Sequence, residues 1–297
     1  MKKLTVREKQ RERVAYLSLI PLLLVLVFLK GIPMIVAIVE SFFTWDGAYK
    51  NVFVGLKNYR NVFSNEELMT MLKNSVFLLL HIPIQLFLAF IFSMFIYEKV
   101  PGAKIYRAIY YIPHITSVVI IGLLFRNFFR MNGVINVILE KIGLGALRID
   151  WLSEGSSALW VILFAMIWQS LGWQMLIISG GLSSMDPQVL ESAKMDGANY
   201  WQRLFKVIIP LQARTIEYSI VVSIIWVFSG LYTFIYTITG GGPGYSTTTL
   251  DYMVYLKAFT TTGKLGLACA YAVVLLGIVL VLVAIQRKMM DKVSDWE

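Results

Sequence analysis

Met185-Asp186-Pro187-Gln188-Val189-Leu190-Glu191-Ser192-Ala193-Lys194-Met195-Asp196-Gly197-Ala198-Asn199-Tyr200-Trp201-Gln202-Arg203-Leu204-Phe205-Lys206-Val207-Ile208-Ile209-Pro210 is a polar interval between two apolar runs. Its pattern is that of two short helices. Asp186 before Pro187 is an N-cap before a favoured first helical residue, and Gly197, ten residues on, is where that helix stops. Trp201, Leu204, Phe205 and Ile208 then stand at i, i+3, i+4 and i+7, one apolar stripe, until Pro210 ends the pattern. A glycine-jointed pair of helices would offer Glu191, Asp196, Arg203 and Lys206 to a partner docked against it. The same periodicity also fits a solvated amphipathic loop.

The flanking composition places this interval at a membrane surface. Hydrophobic residues make up 58% of the 297, charged residues 15%, and mean hydropathy is +0.69, a balance that no soluble globular domain of this length needs. Six apolar spans result, at about 14–39, 74–97, 108–128, 158–179, 214–239 and 263–285. Residues 1–13 form a cytoplasmic basic tail, 14–287 the transmembrane domain, and 288–297 a second cytoplasmic tail. The rival reading of the start, a cleaved signal peptide, is disfavoured because the apolar run is long enough to span and no small-residue cleavage site comes after it.

The net charge of +9 is a topology signal and an attraction for anionic lipid, and no nucleic acid is expected. On the side shared by residues 185–210 and both termini lie sixteen Lys and Arg, against nine on the opposite side. The short, basic segments face the cytoplasm, so both termini are expected inside. Lys30, beside Gly31 and Pro33, would snorkel to the outer interface. His81, beside Pro83, would satisfy a loosened backbone carbonyl or relay a proton. Pro113-His114 should break the third span early. Val134, Ile135, Ile138 and Ile142 suggest a helix lying on the membrane, and Gly240-Gly241-Gly242-Pro243-Gly244 should end the fifth span.

Chemistry of its own is not expected of this chain. No G-x-x-x-x-G-K-[ST] cradle for nucleotide occurs, no His, Asp or Glu set has metal-ligand spacing, and the single cysteine, Cys269, lies in an apolar run. Catalytic and metal residues are therefore none, with no cofactor bound by the chain itself. Energy for any transport must come from another subunit.

Glu191-Ser192-Ala193-x-x-Asp196-Gly197-Ala198, followed by Val207-x-Ile209-Pro210, resembles the "EAA" loop of binding-protein-dependent ABC importer permeases. Departures from the family pattern are Ser192 (commonly Ala), Val207 (commonly Ile) and Ile209 (commonly Leu). The resemblance implies an all-α, polytopic type I importer permease whose residues 185–210 form a coupling helix seated on an ATPase. ATPase coupling would fall to Glu191, Ser192, Ala193, Asp196, Gly197, Ala198 and Pro210. Thr239-Gly240-Gly241-Gly242-Pro243, Ser246-Thr247-x-Thr249-Leu250, Tyr255, Ala258-Phe259 and Gly266-Leu267-Ala268 resemble the membrane subunits of sugar importers of the maltose and glycerol-3-phosphate class. Lacking the extended tail of the maltose G-type partner, the chain resembles the F-type subunit, in a short form.

That resemblance implies a second permease, of a different sequence, two ATPase subunits carrying ATP and Mg, and an extracytoplasmic sugar-binding protein. It also implies sugar contacts at Met166, Gln169, Ser170, Trp173, Ser223 and Val227. Independently, Trp168, Gln169, Ser170, Trp173 and Gln174 give the fourth span the amides, hydroxyl and aromatic faces a sugar needs, although such groups also pack helices together. The alternatives are an ion-coupled secondary transporter, for which paired acidic groups within spans are missing, an ABC permease for a non-sugar solute, and an enzyme acting on lipid-linked sugars.

Overall fold

The computed structural model describes residues 6–47, 51–98 and 101–294. Lys2, Lys3, Lys50 and Lys99 of the charge count, and the last residues of the second tail, lie outside them. Among the described residues five helices are long and apolar enough to cross a membrane: Tyr16–Glu40, Leu68–Tyr97, Val118–Lys141, Gly155–Ser184 and Leu265–Met289. A sixth is reached if Tyr200–Leu211 and Ala213–Ser229, bent by 76°, count as one span.

One compact unit comprises the chain up to Ser64 together with Leu256–Val274. It holds α1 (Val6–Leu26), a π-turn (Val27–Gly31) containing Lys30, and α2 (Ile32–Glu40). The fold is all-α as expected, with one small ladder in the loop after α2: β1 (Phe43–Trp45) pairs antiparallel with β2 (Asn51–Phe53), Phe43 opposite Phe53. α3 (Lys57–Phe63) closes that turn. Asn58 is buried and donates from Nδ2 to the carbonyls of Ser41 at 2.9 Å and Phe43 at 2.8 Å, satisfying backbone that neither helix nor ladder covers. Gly266, in this unit's part of the last helix, is required because a Cβ there would fall on the Phe43 carbonyl oxygen.

The second unit, Asn65–Tyr255 with Leu275–Glu297, contains α4 (Leu68–Leu78), α5 (His81–Tyr97), α6 (Ala103–Ile115), α7 (Val118–Phe129), α8 (Val134–Lys141) and α9 (Gly155–Ser184). Then come α10 (Pro187–Met195), α11 (Tyr200–Arg203), a π-turn (Leu204–Ile208), α12 (Ile209–Leu211), α13 (Ala213–Ser229), α14 (Tyr232–Ile238) and α15 (Leu250–Tyr255). The last helix, α16 (Leu265–Ser294), runs from the first unit into this one. At 1.5 Å per residue the thirty residues of α9 extend about 45 Å. That exceeds about 30 Å of hydrocarbon, so α9 is long enough to hold α10 and α11 clear of the membrane.

Several expected breaks move. Pro113 lies inside α6, and the chain leaves the helix after Ile115, where Thr116 is extended. The expected span 108–128 is thus two helices joined at Thr116-Ser117. The expected fifth span is also divided, at Gly230-Leu231. Asp251 spans that break: its Oδ2 accepts the Leu231 N–H at 2.9 Å and the Tyr232 N–H at 2.7 Å, the first free amides of α14. Pro210 does not stop its helix either. The preceding π-turn shifts the backbone pairing so that the Ile209 N–H reaches the Leu204 carbonyl, and the sharp bend falls at Gln212.

The glycine-rich turn after α14 is closed by the motif threonines. Thr239 and Thr247 hydroxyls meet at 2.8 Å, and Thr248 Oγ1 donates to the Gly241 carbonyl at 3.0 Å. Gly241, at φ 86°, has no room for a Cβ beside Thr248 and Tyr252. Asn74 Nδ2 ties the turn to α4 through the Thr248 carbonyl at 2.8 Å. This stretch of the resemblance is architecture.

Candidate functional site

The candidate site residues gather at two places in the second unit. The first is the hairpin of α10 and α11. Asp186 caps α10 by accepting the Gln188 N–H at 2.9 Å, with Pro187 in the first turn. Gly197 sits at φ 78°, the left-handed elbow that ends α10. Asn199 and Gln202 then form a reciprocal capping box at 2.8 and 2.9 Å, starting α11 without tertiary help.

The hairpin is anchored by its apolar side. Leu190, Leu204 and Ile208 are buried in one cluster with Ala89, Phe90, Met94 and Ile96 of α5 and Met175, Ile178 and Leu182 of α9. Each such side chain withdrawn from water contributes about 1.5–3 kcal/mol. The expected stripe of four therefore divides: Leu204 and Ile208 face the core, while Trp201 and Phe205 are half exposed and stack on one another at 6.1 Å. A π-turn needs more residues per turn than an α-helix, so the i, i+3, i+4 register no longer selects one face.

Of the motif residues, Glu191, Ser192, Asp196, Gly197 and Pro210 are exposed, and Ala193 and Ala198 half-buried. Arg203 is not offered to a partner. Its guanidinium turns inward, with Nη2 2.5 Å from Glu98 Oε1 at the end of α5 and Nη1 donating to the Ala198 carbonyl at 2.8 Å. Lys194 reaches the same carboxylate at 3.7 Å. Tyr200 donates to the Ile91 carbonyl at 2.9 Å; burial, with the Glu98 carboxylate beside it, pushes its phenol up to about 12, so it stays a donor. Among the described residues the most exposed large apolar side chain is Met195, at 88%.

The second place is a cavity of about 160 Å³ bounded by four helices. α9 contributes Gln169, Ser170, Trp173, Gln174 and Ile177; α13 contributes Val222, Ser223 and Trp226. α5 adds His81 and Gln85, and α6 adds His114. The wall is a layered one: His114 stacks on Trp173 at 5.4 Å and 22°, and His81 tilts against Trp226 at 5.5 Å. Gln85 donates to the Ser170 carbonyl at 2.9 Å, and Ser170 to the Met166 carbonyl at 2.6 Å, fixing their side chains.

Gln169, Ser170, Trp173 and Ser223 thus come together as expected positions in one wall, but Met166 and Val227 do not. Both are wholly buried at 0% exposure and absent from the lining. Each lies about one helical turn beyond a lining residue, and a turn is about 5.4 Å of travel, enough to pass from cavity to packed core. His81 was expected to satisfy a backbone carbonyl or relay a proton; it lines the cavity, with its Nδ1 buried without a hydrogen-bond partner. The two histidines, far apart in sequence, share this one cavity. His81 and Gln85, and Val222 and Trp226, are i, i+4 pairs on single helix faces, a signal present in the sequence but masked by long apolar context.

Comparison with known proteins shows the family and the fold. A family described as "Binding-protein-dependent transport system inner membrane component" matches residues 53–294. The probable ABC transporter permease protein YurN of Bacillus subtilis (strain 168) is 31% identical, over 94% of this chain and 96% of its own. The sn-glycerol-3-phosphate transport system permease protein UgpA of Agrobacterium fabrum (strain C58) is 31% identical, over 81% of each chain. In a crystal structure of a bacterial ABC transporter that imports the acidic polysaccharide alginate, one chain superposes with a TM-score of 0.81 at 22% identity, over 96% of this chain and 98% of that one. At that identity the likeness establishes the fold.

Proposed function

Because the chain belongs to the family of binding-protein-dependent transport system inner membrane components, the permease subunits of ABC transporters, we propose that it carries a sugar through a bacterial or archaeal plasma membrane, driven from the hairpin 185–210. The observation that carries this is the hairpin itself. It is rigid, capped at both helices, jointed at Gly197 and anchored by Leu190, Leu204 and Ile208, while Glu191 and Met195 stand out from it. An exposed knob held by a buried root transmits force without bending.

In this reading two ATPase subunits bind ATP and Mg and grip the hairpin and its counterpart on a second, different permease. Glu191, Ser192, Ala193, Asp196, Gly197, Ala198 and Pro210 form the gripped surface. Closure of the ATPases draws the hairpins together, and the cavity is exposed first to an external sugar-binding protein, then to the cytoplasm, where both termini lie. Nucleotide enters only as differential affinity for the two states. Relatives named for carbohydrate cargo support the sugar assignment, among them the multiple sugar-binding transport system permease protein MsmF of Streptococcus mutans, 28% identical over 92% of this chain. The cavity's amides, hydroxyls and aromatic faces support it independently.

The test is uptake and sugar-stimulated ATP hydrolysis by the complete reconstituted transporter carrying Glu191→Leu and Gly197→Leu. Both activities should be abolished with membrane insertion unchanged. Uptake that survives both substitutions refutes the coupling role.

A further inference from the structure

The cavity wall holds no fixed charge. Among the described residues none that lines it is Asp, Glu, Lys or Arg. An ionised carboxylate or phosphate entering it would lose its hydration with no cation to replace it, a loss of several kcal/mol. What the wall does hold is unspent neutral hydrogen-bonding capacity. His81 and Gln174 are each 1% exposed, and Nδ1 of His81 and Nε2 of Gln174 have no partner, nor has Nδ1 of His114. Buried polar atoms are ordinarily satisfied, so three orphans on one cavity mark where a ligand's hydroxyls would fit.

Size and shape narrow the ligand further. An apolar cavity of about 150 Å³ holds one benzene, so this one, at about 160 Å³, admits no more than one six-membered ring. Two tryptophans line the cavity, Trp173 stacked on His114 and Trp226 tilted against His81. They suit the C–H faces of a ring whose edge carries hydroxyls.

We propose that this subunit's half of the pathway takes one uncharged sugar ring at a time and rejects acidic sugars and sugar phosphates, with Gln174 as the chief determinant of that choice. This rests on the transport reading above. It sets the chain apart from relatives named for anionic cargo, the sn-glycerol-3-phosphate permease and the alginate importer.

The purified complete transporter is titrated with glucose, galactose, glucuronate, galacturonate and glycerol-3-phosphate while tryptophan fluorescence is followed, with Trp173→Phe to identify the reporter. Glucose or galactose should shift the signal at a concentration at least tenfold below the matching uronate, which differs by one carboxylate. Gln174→Arg should narrow or reverse that ratio. Equal or tighter binding of a uronate or of glycerol-3-phosphate by the unaltered protein overturns the inference, as does no response to either neutral sugar. The transport reading is judged separately, by hydrolysis of ATP stimulated through the external binding protein, and survives either result.

Discussion

Arg203 closes on Glu98 at 2.5 Å, joining the hairpin at the end of α11 to the residue that caps the end of α5. The same guanidinium holds the Ala198 carbonyl just past the Gly197 elbow. One side chain therefore ties the elbow to the end of α5, whose first two turns place His81 and Gln85 in the cavity wall. The hairpin and the cavity are two ends of one helix.

Glu98→Gln should accordingly weaken coupling more than insertion. With Arg203 only 12% exposed and Glu98 24%, loss of this charged hydrogen bond costs about 1.5–3 kcal/mol. Thermal unfolding of the purified transporter should register that, and the ratio of sugar moved to ATP hydrolysed should fall. Lys194, more exposed and at 3.7 Å, should contribute only about 0.2–1 kcal/mol when replaced by Ala. An equal effect from Lys194→Ala would contradict the assignment of Arg203 as the strut.

Gly197 should tolerate Asn far better than Val. Nothing lies within 4 Å of where its Cβ would stand, so only its φ of 78° resists substitution. Left-handed backbone costs an ordinary side chain about 1–2 kcal/mol, and Asn less. Uptake should remain near normal in Gly197→Asn and drop sharply in Gly197→Val.

Asp251→Asn should loosen the division of the fifth span. Its two oxygens accept from the amides of Leu231, Tyr232 and Tyr252 and from the Thr249 hydroxyl. An amide presents one acceptor oxygen and turns its NH₂ against donors, at a cost of about 1.5–3 kcal/mol. Faster proteolysis near residue 230 and a lower unfolding temperature should accompany the change.

Gly172→Val should disturb the cavity from behind. A Cβ at Gly172 would meet the Tyr110 carbonyl and approach Tyr111 Cα to 2.9 Å, so α6 must move off α9. Overpacking of this kind costs about 1–3 kcal/mol. Because His114 lies one turn further along α6 and stacks on Trp173, the tryptophan signal from bound sugar should weaken even where protein yield is unaffected.

What could be read from residues alone obeyed local physics. The apolar runs predicted helices long enough to span, Asp186-Pro187 predicted the start of α10, and Gly197 its end, because caps and left-handed glycines are decided within a few residues. The spacing from Glu191 to Pro210 carried the family. Breaks were less legible. Pro113 and Pro210 were expected to interrupt helices, yet the interruptions fell at Thr116-Ser117, Gly230-Leu231 and Gln212, since a π-turn or a neighbouring side chain can absorb a proline's missing donor.

The sequence by itself determined that this is a helical membrane permease with a jointed knob at its surface, because hydropathy, capping and motif spacing are properties of neighbours along the chain. Only the tertiary structure decided which way each side chain was used. Arg203 turns to Glu98 across more than a hundred residues. His81 and His114 meet in one cavity, and Met166 and Val227 withdraw from it into the core. In helices apolar on nearly every face the periodic signal that separates wall from core is flat, so helix packing, and nothing local, assigns the inward side.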